Sequence, residues 1–345
     1  MDISIIIPVY NVEKYLDRFM DCLKTQTNQN FVAIFIIDQS PDDSISKIKK
    51  HREFFGDRLV ILENEENKGL SGTRNVGLDY VQEHPTKYIS FLDPDDWMEP
   101  EYLEDLYKPT EEHNLDLCIS GLIRYNETDD KTICTEMVRM RECVFEDPSD
   151  CGELAYINPC AYSKLYRFEP IQDLRVRSIK RSEDTCYLFE ALKVFKRIMF
   201  TNNAYYHYCV RDSSLTGTID EEKYISMHEE FAKLLPSFNN PVLEGVRDEF
   251  VTQIYIRSSL GGVCRLCFND MESSRSMEKR EYAYLEKYVP SWRVNRYLNF
   301  GHKGIGSKKE FALRVSALMY KMHIFFVFVW IYYFVTKITG KDFRA

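Results

Sequence analysis

Positive charge is scarce in this sequence, which argues against a nucleic-acid-binding protein. The 345 residues include 45 lysines and arginines and 54 aspartates and glutamates, so the formal net charge is −9. A protein that covers phosphate backbones needs the opposite sign. Residues 301–345 are an exception, because eight basic and two acidic side chains give +6 there and leave −15 for the rest. We expect this basic end to meet something anionic, such as a lipid surface.

Paired metal-binding cysteines and a secretory leader are also missing. Ten cysteines are present, but Cys264 and Cys267 form the only C-x-x-C, and a structural zinc site would need a second pair. Met1 is followed by Asp2 and an apolar run, without the basic segment that opens a signal peptide. We therefore expect reduced, mostly buried cysteines and a cytoplasmic protein.

Two widespread enzyme signatures are absent as well. The sequence has no G-x-x-x-x-G-K phosphate loop, and none of its seven histidines follows the H-E-x-x-H spacing of zinc proteases. These absences exclude a P-loop kinase and a metalloprotease of that type. A Gly-rich phosphate loop near residue 10 is missing too, which disfavours a nucleotidyltransferase.

Short apolar segments alternate with helical patterns through the first hundred residues. Apolar runs without polar alternation are typical of strands that are buried on both faces, as in a parallel sheet. These runs occupy residues 3–7, 31–37, 60–62 and 88–92. The helical patterns lie between them, at residues 12–26, 44–54 and 72–82. This alternation predicts an α/β unit with a mostly parallel sheet and helices on both faces.

The rest of the chain changes character twice. Residues 106–220 mix helical and strand-like patterns, with strands predicted at 117–123 and 132–138, whereas residues 221–345 are mainly helical. We therefore expect an α/β half at 1–105, a second half of the same domain at 106–220, and a helical C-terminal region at 221–345.

An apolar run rich in aromatic residues occupies residues 324–335. It is shorter than the roughly 20 residues that a membrane-spanning helix needs, and basic residues flank it on both sides. The preceding stretch places Arg314, Ala317 and Lys321 along one helical face. We expect residues 312–338 to lie at a membrane surface or to re-enter it. A core helix and a full span are the alternatives.

Carboxylates directly follow two of the predicted strands. Asp38 comes after the second strand, and Asp93, Asp95 and Asp96 come after the fourth. The carboxyl ends of parallel strands meet at one edge of a sheet, so both acidic loops should face one crevice, where ligands bind. A hard cation such as Mg²⁺ or Mn²⁺ would relieve the repulsion among the carboxylates and bind substrate phosphates. An exposed acidic turn is the alternative for the second loop.

Five short motifs follow one another along the chain. They are ISIIIPVYN at 3–11, NKGLSGTRNVG at 67–77, FLDPDDW at 91–97, KLYR at 164–167 and SED at 182–184. Together they make the sequence resemble the inverting family 2 glycosyltransferases, which have the GT-A fold, and the resemblance covers roughly residues 1–215. It implies a transferase of bacterial polysaccharide or capsule synthesis that moves a sugar from a nucleotide-diphosphate donor, a UDP-sugar by expectation, to an acceptor hydroxyl.

The resemblance also implies that residues 1–105 bind the nucleotide sugar and residues 106–220 the acceptor, and it implies roles for individual residues. Nucleotide-sugar contacts are implied for Pro8, Tyr10, Asp38, Arg74 and Asp93. Asp95 would bind the metal, either Mn²⁺ or Mg²⁺. Asp184 would be the general base, although the same residue also suits the first turn of a helix. Trp97 and Glu183 are candidates for acceptor contacts, and a packing role for Trp97 stays open.

The sequence departs from the family pattern at one point. The family commonly has Asp-Asp-Gly-Ser where this chain has Ile37-Asp38-Gln39-Ser40, so an acidic residue and the turn glycine are missing. Nucleotide binding should survive this change, whereas specificity for uridine becomes a weaker expectation. His207, near the end of the matching region, is expected to be a structural histidine rather than a metal ligand or phosphate contact.

The acceptor and the location follow from the basic, apolar C-terminal region. We expect a glycan or lipid-linked saccharide as acceptor, and peripheral attachment to the cytosolic face of the inner membrane. A catalytically silent, membrane-attached partner in glycan assembly is the non-enzymatic alternative. The presence of Asp38, Asp95 and Asp184 together argues against it.

Overall fold

The computed structural model describes residues 1–148, 151–179, 182–210, 221–237, 244–301 and 308–339. Contacts divide the chain into two compact units. Unit 1 comprises Met1–Cys151 and Ile157–Asp212, and unit 2 comprises Gly152–Tyr156 and Ser213–Ala345. The assignment of donor and acceptor halves to 1–105 and 106–220 remains a prediction about unit 1.

Unit 1 begins with alternating strands and helices and continues with shorter strands. Its helices are α1 (Glu13–Thr25), α2 (Ser44–Lys49), α3 (Arg52–Phe55), α4 (Gly69–Glu83), α5 (Tyr102–His113) and α6 (Glu183–Leu192). Its first six strands are β1 (Ile3–Val9), β2 (Phe31–Ile37), β3 (Leu59–Glu63), β4 (Tyr88–Phe91), β5 (Trp97–Met98) and β6 (Leu117–Ile119). The later strands are β7 (Leu122–Asn126), β8 (Lys131–Glu136), β9 (Lys164–Arg167), β10 (Ile198–Phe200) and β11 (Tyr206–Val210).

The main sheet contains seven of the described strands, in the order β10-β6-β9-β4-β1-β2-β3. Every pair of neighbours is parallel except the two pairs that include β9. Strands β1 and β4 are buried along their whole length, as expected where both faces of a sheet are covered. The prediction of a mostly parallel sheet is confirmed.

Helices cover both faces of this sheet. On one face, the Phe19 ring of α1 packs edge-on against Phe35 of β2, with 6.2 Å between the ring centroids. On the other face, α4 runs so close to the sheet that a Cβ on Gly77 would lie 2.5 Å from Ile6 and 3.1 Å from Ile36. Because consecutive residues of a strand point to opposite faces, the contact with Ile36 places α4 on the opposite side from α1.

A smaller sheet, β5-β11-β7-β8, lies in the described part of unit 1. The prediction of one strand over 117–123 is wrong, because the chain leaves the main sheet after β6 and enters the smaller sheet at β7. Gly121 permits this change of sheet, since a Cβ there would lie only 2.9 Å from the backbone oxygen of Asn203. The helix predicted at 44–54 is likewise broken into α2 and α3.

Unit 2 is helical in its described part. Its helices are α7 (Glu221–Leu234), α8 (Glu244–Ser258), α9 (Cys264–Leu266), α10 (Met271–Tyr288), α11 (Lys308–Lys321) and α12 (Phe325–Thr339). None of the helices in the described segments is long and apolar enough to cross a membrane. All ten cysteines of the chain are free thiols, and Cys264 and Cys267 are buried.

The face of α11 that the sequence suggested for a membrane surface points into unit 2. Arg314 and Ala317 are buried, and the Arg314 guanidinium pairs with Glu310 and donates to the backbone oxygen of Tyr297. The Arg314 side chain therefore makes its polar contacts within unit 2. Any lipid-facing surface must come from another part of the segment 312–338.

Candidate active site

Asp38 lies at the carboxyl end of β2, beside the beginning of α4. Its Oδ1 accepts hydrogen bonds from Asn64 Nδ2 (2.7 Å) and the Lys68 backbone N–H (2.8 Å), and its Oδ2 accepts from the Gly69 N–H (2.9 Å). Gly69 has φ 66°, a left-handed conformation that glycine adopts without strain. Asp38 therefore anchors the helix that carries Arg74. Three of roughly four acceptor positions on its carboxylate are used within the protein.

The acidic loop after β4 is tied to other elements of unit 1. Arg18 of α1 donates to the backbone oxygen of Asp95 (3.2 Å) and pairs with Glu127 (2.7 Å). Asp96 is buried and accepts hydrogen bonds from the Tyr206 hydroxyl (2.7 Å) and the Cys209 N–H (2.8 Å). The loop is thus held between α1 and β11. The sequence pattern predicted no separate role for Asp96. Its position as the third carboxylate of the loop was the one feature that distinguished it.

The environment of this loop favours a cation. Desolvation, together with the negative charges of Asp95 and Asp93, raises the pKa of Asp96 well above its usual value. Asp95 itself is partly exposed. In the described segments, no three His, Cys, Asp or Glu side chains converge as a complete metal site. A Mg²⁺-type ion bound by one or two carboxylates plus substrate phosphates needs no such preformed group. The residues present fit an ion of that kind.

Arg74 connects the acidic loop to the beginning of α6. This side chain is only 3% exposed, and its Nη2 donates to Asp93 Oδ1 (3.0 Å) while Nη1 donates to Glu183 Oε1 (3.1 Å). Desolvation lowers the pKa of Arg74, but the charges of Asp93, Glu183 and Asp184 outweigh it and raise the pKa overall. A fixed guanidinium therefore lies among the carboxylates that the sequence motifs singled out.

Asp184 follows Glu183 in the first turn of α6. Its Oδ1 accepts a hydrogen bond from the Thr185 N–H (2.7 Å), and the residue keeps part of its surface exposed. Desolvation and the charge of Glu183 raise the pKa of Asp184 to about 7, against opposing effects of Arg74, the Thr185 N–H and Lys164. An accessible carboxylate with this pKa can accept a proton near neutral pH.

Pro8 and Tyr10 lie at the carboxyl end of β1, next to Asp38. The backbone N–H of Asp38 donates to the Val9 carbonyl oxygen (3.0 Å), which joins the two strand ends. Pro8 is buried, whereas the Tyr10 ring is 52% exposed. Tyr10 thus offers an aromatic surface at the edge where the acidic loops lie.

Trp97 is packed against His207. The two rings stack with 3.4 Å between centroids and an interplanar angle of 12°, and the Tyr125 ring lies perpendicular to the indole with 5.9 Å between centroids. His207 is buried, and its Nε2 lies 2.9 Å from Glu99 Oε1. This geometry supports a packing role for Trp97 and a structural role for His207. An acceptor could reach only the remaining face of the indole.

Lys164 has a role that sequence analysis did not foresee. The side chain is fully buried, and its Nζ donates to the backbone oxygens of Cys160 (2.7 Å), Asn158 (3.0 Å) and Tyr162 (3.3 Å). The ammonium group thereby holds residues 158–162 in a closed loop. The KLYR motif marked the position, but the partners are backbone atoms that the sequence pattern does not reveal.

Comparison with known proteins identifies a family and several relatives. The chain matches the family model described as Glycosyl transferase family 2 over residues 4–175. The glycosyltransferase GlyA of Streptococcus pneumoniae is 30% identical over 228 residues, which cover 64% of this chain and 32% of GlyA. EpsH of Bacillus subtilis is 26% identical over 286 residues, 79% of this chain and 78% of EpsH. The chain thus spans about a third of one relative and most of the other.

A solved structure shares the fold over nearly the whole chain. S. aureus TarS 1–349, in complex with UDP-GlcNAc, superposes with a TM-score of 0.69 at 19% sequence identity. The superposition covers 94% of this chain and 92% of the TarS chain. At this level of identity, the likeness establishes a common fold.

Proposed function

We propose that the chain, which belongs to glycosyltransferase family 2, acts as a glycosyltransferase on a UDP-sugar. It transfers the sugar, a hexose or N-acetylhexosamine, to an acceptor hydroxyl with inversion at the anomeric carbon. The observation that carries this proposal is the Arg74 bridge, because it joins the acidic loop through Asp93 to Glu183, the neighbour of Asp184. The bridge thereby brings the charged groups proposed to bind the donor into one cleft with the candidate base.

The donor nucleotide would bind at the carboxyl ends of β1 and β2. Asp38 retains about one acceptor position for an N–H of the base, and Pro8 and Tyr10 would line the same pocket. The UDP-GlcNAc complex of TarS supports a uridine nucleotide as donor. Ile37 and Gln39 stand where the family commonly has an aspartate and a glycine, so Asp38 is the acidic side chain left in this motif to contact the base.

Asp95 would hold a divalent cation, Mn²⁺ or Mg²⁺. Asp93 would contact either the ribose of the donor or the ligands that surround the metal. When bound, such an ion neutralises charge that develops on the departing diphosphate. Arg74 would contribute a second, permanent positive charge close to the pyrophosphate. Since Asp93 already pairs with Arg74, the guanidinium also keeps this carboxylate oriented.

Asp184 would act on the acceptor. As the acceptor oxygen forms its bond to the anomeric carbon, its proton passes to the Asp184 carboxylate and the bond from that carbon to the diphosphate oxygen breaks. No covalent enzyme intermediate is needed. Glu183, partly exposed beside Asp184, would contact the same acceptor.

The decisive test measures release of nucleoside diphosphate from a panel of nucleotide sugars. We expect Mn²⁺- or Mg²⁺-dependent release of UDP from one donor, and loss of at least about 10²-fold in Asp95→Ala because the leaving group loses its neutralising charge. Asp57→Ala is a matched control, since this exposed acidic residue lies just before β3 and so at the amino ends of the strands, away from the acidic loops.

Two results would contradict the proposed reaction. Metal-independent release that Asp95→Ala leaves unchanged would remove the metal site from the mechanism. Failure of folded wild-type protein to bind any nucleotide sugar would favour a catalytically silent partner in glycan assembly.

The acceptor is proposed to be a lipid-linked or growing surface glycan, presented at the cytosolic face of the inner membrane. Helix α12 supplies the surface for attachment. Its outward side chains are apolar at positions i, i+3, i+4, i+7, i+8 and i+11, namely Val327, Trp330, Ile331, Phe334, Val335 and Ile338. Its opposite face packs inward through Phe325, Val329 and Tyr332. A helix apolar on both faces needs a second apolar environment.

A bilayer surface suits this outward stripe better than a span. At 1.5 Å per residue the helix is about 22 Å long, which is less than the roughly 30 Å hydrocarbon core. Lys337 is exposed on the same helix, and residues 301–345 carry the excess positive charge of the chain. An apolar stripe beside basic groups is typical of a helix that lies in the plane of an anionic membrane.

Vesicle sedimentation tests this attachment. We expect the full chain to co-sediment with vesicles that contain phosphatidylglycerol, and Ile331→Glu to weaken this binding about ten-fold or more because a charge enters the lipid interface. Val294→Glu is the matched control, since Val294 is 75% exposed in unit 2 but lies outside α12. If Ile331→Glu left vesicle binding unchanged and instead dissociated an oligomer, the stripe would be a protein interface and the proposal would be wrong.

A further inference from the structure

We propose that Arg124, Glu136 and Asn158 form a subsite for the hydroxyl groups of an uncharged acceptor sugar. The inference rests on the proposed transferase function and names the substrate chemistry at the acceptor end of the cleft. It places acceptor recognition on one face of the small sheet, away from Trp97.

The pairing of strands defines this face. In the parallel pair β11–β7, Tyr208 lies opposite Arg124, and in the antiparallel pair β7–β8, Leu122 lies opposite Glu136. Side chains alternate along a strand, so Arg124, Tyr208 and Glu136 share one face. Trp97 pairs with His207 on β11 and therefore belongs to the opposite face.

A stack of tyrosines connects this face to the acidic loop. The ring of Tyr208 stacks on Tyr162 with 5.7 Å between centroids, and Tyr162 stacks on Tyr206 at 4.6 Å. The Tyr206 hydroxyl donates to Asp96 in the acidic loop. The guanidinium of Arg124 lies over the outer ring, with its Cζ 5.1 Å from the Tyr208 centroid. The cluster is therefore rigidly linked to the proposed donor site.

Arg124 has donors that the protein does not use. Its guanidinium faces Glu136 Oε1 at 3.6 Å, and within the described residues it donates no hydrogen bond. By contrast, Arg18 and Arg74 each donate several. A guanidinium carries five N–H donors in a planar fork, and a partly buried one normally finds acceptors. The side chain is about a third exposed and stacking holds it in place, so its open donors are available to a ligand.

Asn158 ties the cluster to the loop at residues 158–162. Asn158 Nδ2 donates to Glu136 Oε2 (3.0 Å), and its backbone oxygen is held by buried Lys164. Tyr162, the middle ring of the tyrosine stack, belongs to the same loop. Asn158 therefore joins Glu136 to the loop whose Tyr162 leads through Tyr206 to the acidic loop.

The chemistry of the cluster fits sugar hydroxyls. The guanidinium can donate to two adjacent hydroxyl oxygens, and the Glu136 carboxylate can accept from a hydroxyl, a combination that matches a vicinal diol. The positive and negative charges balance within the cluster. A phosphate or carboxylate on the acceptor would meet Glu136 unfavourably, so an uncharged ring is the better match.

The test uses full-length protein saturated with UDP and a panel of p-nitrophenyl hexosides and N-acetylhexosaminides, with binding followed by titration. At least one glycoside should bind the wild type. Arg124→Met and Glu136→Gln should each weaken its binding about ten-fold or more, because hydrogen bonds to charged groups are lost. Tyr125→Phe is the matched control, since Tyr125 is the neighbour of Arg124 on β7 but faces the other side of the small sheet. This variant should bind the glycoside as tightly as the wild type does.

The outcomes separate this inference from the proposed function. If the wild type fails to bind UDP, the proposed function fails. If UDP binds but no glycoside does, or if Arg124→Met binds the glycoside as tightly as the wild type, the subsite is wrong. Much tighter binding of glycoside phosphates than of neutral glycosides would also overturn it, because the site would then recognise an anion.

Discussion

Replacement of Asp184 by asparagine is expected to slow sugar transfer by about 10²–10⁴-fold, the usual contribution of a positioned general base. Asparagine keeps the size of the side chain but cannot accept the acceptor's proton. The measurement is the rate of UDP release in the presence of acceptor, with UDP affinity and thermal unfolding as checks on donor binding and folding. Activity within a few-fold of wild type would exclude Asp184 as the base.

The same residue sets the expected pH dependence. Desolvation and the charge of Glu183 raise the pKa of Asp184 to about 7. A base works only when deprotonated, so kcat/KM of the wild type should fall as pH decreases below about 7. Glu183→Gln removes a neighbouring negative charge, lowers the pKa of Asp184 and should move this fall to lower pH. A profile that does not move would mean that another group controls it.

Arg74→Met is expected to be the most destabilising substitution in the cleft, lowering the free energy of unfolding by about 3 kcal/mol, as when one partner of a buried ion pair is removed. The cation is buried, and its loss leaves Asp93 and Glu183 facing each other without compensation. This loss of stability is at the low end of the range known for breaking a buried ion pair, because both carboxylates retain some exposure to solvent. Urea unfolding measures it, and UDP release should fall as well.

Two further variants make this prediction specific. Arg74→Lys keeps the charge but cannot span both carboxylates, so its stability should lie between those of wild type and Arg74→Met. Lys24→Met removes an exposed pair with Asp21 and should cost less than about 1 kcal/mol. If Arg74→Met were as stable as Lys24→Met, the bridge would have no structural importance.

The sequence alone determined the core of unit 1 and the position of its acidic loops. Apolar runs without polar alternation, such as residues 3–7 and 31–37, indicate burial on both faces, and this pattern predicted the mostly parallel sheet. Because parallel strands end at a common edge, Asp38 and the loop at 93–96 had to lie near one another. Short, locally polar strands such as β9 escaped prediction, since their place in the sheet depends on distant neighbours.

Only the tertiary structure decided which role each polar residue plays. Glu183 lies 109 residues from Arg74, and the three carboxylates of the acidic loop look alike in sequence. Burial distinguishes them: Asp96 is enclosed against Tyr206, Asp93 pairs with Arg74, and Asp95 stays partly exposed. The two faces of the small sheet likewise depend on register, a long-range property that a local pattern does not contain. Sequence determines which groups are available, whereas long-range packing determines their partners, their solvation and hence their chemistry.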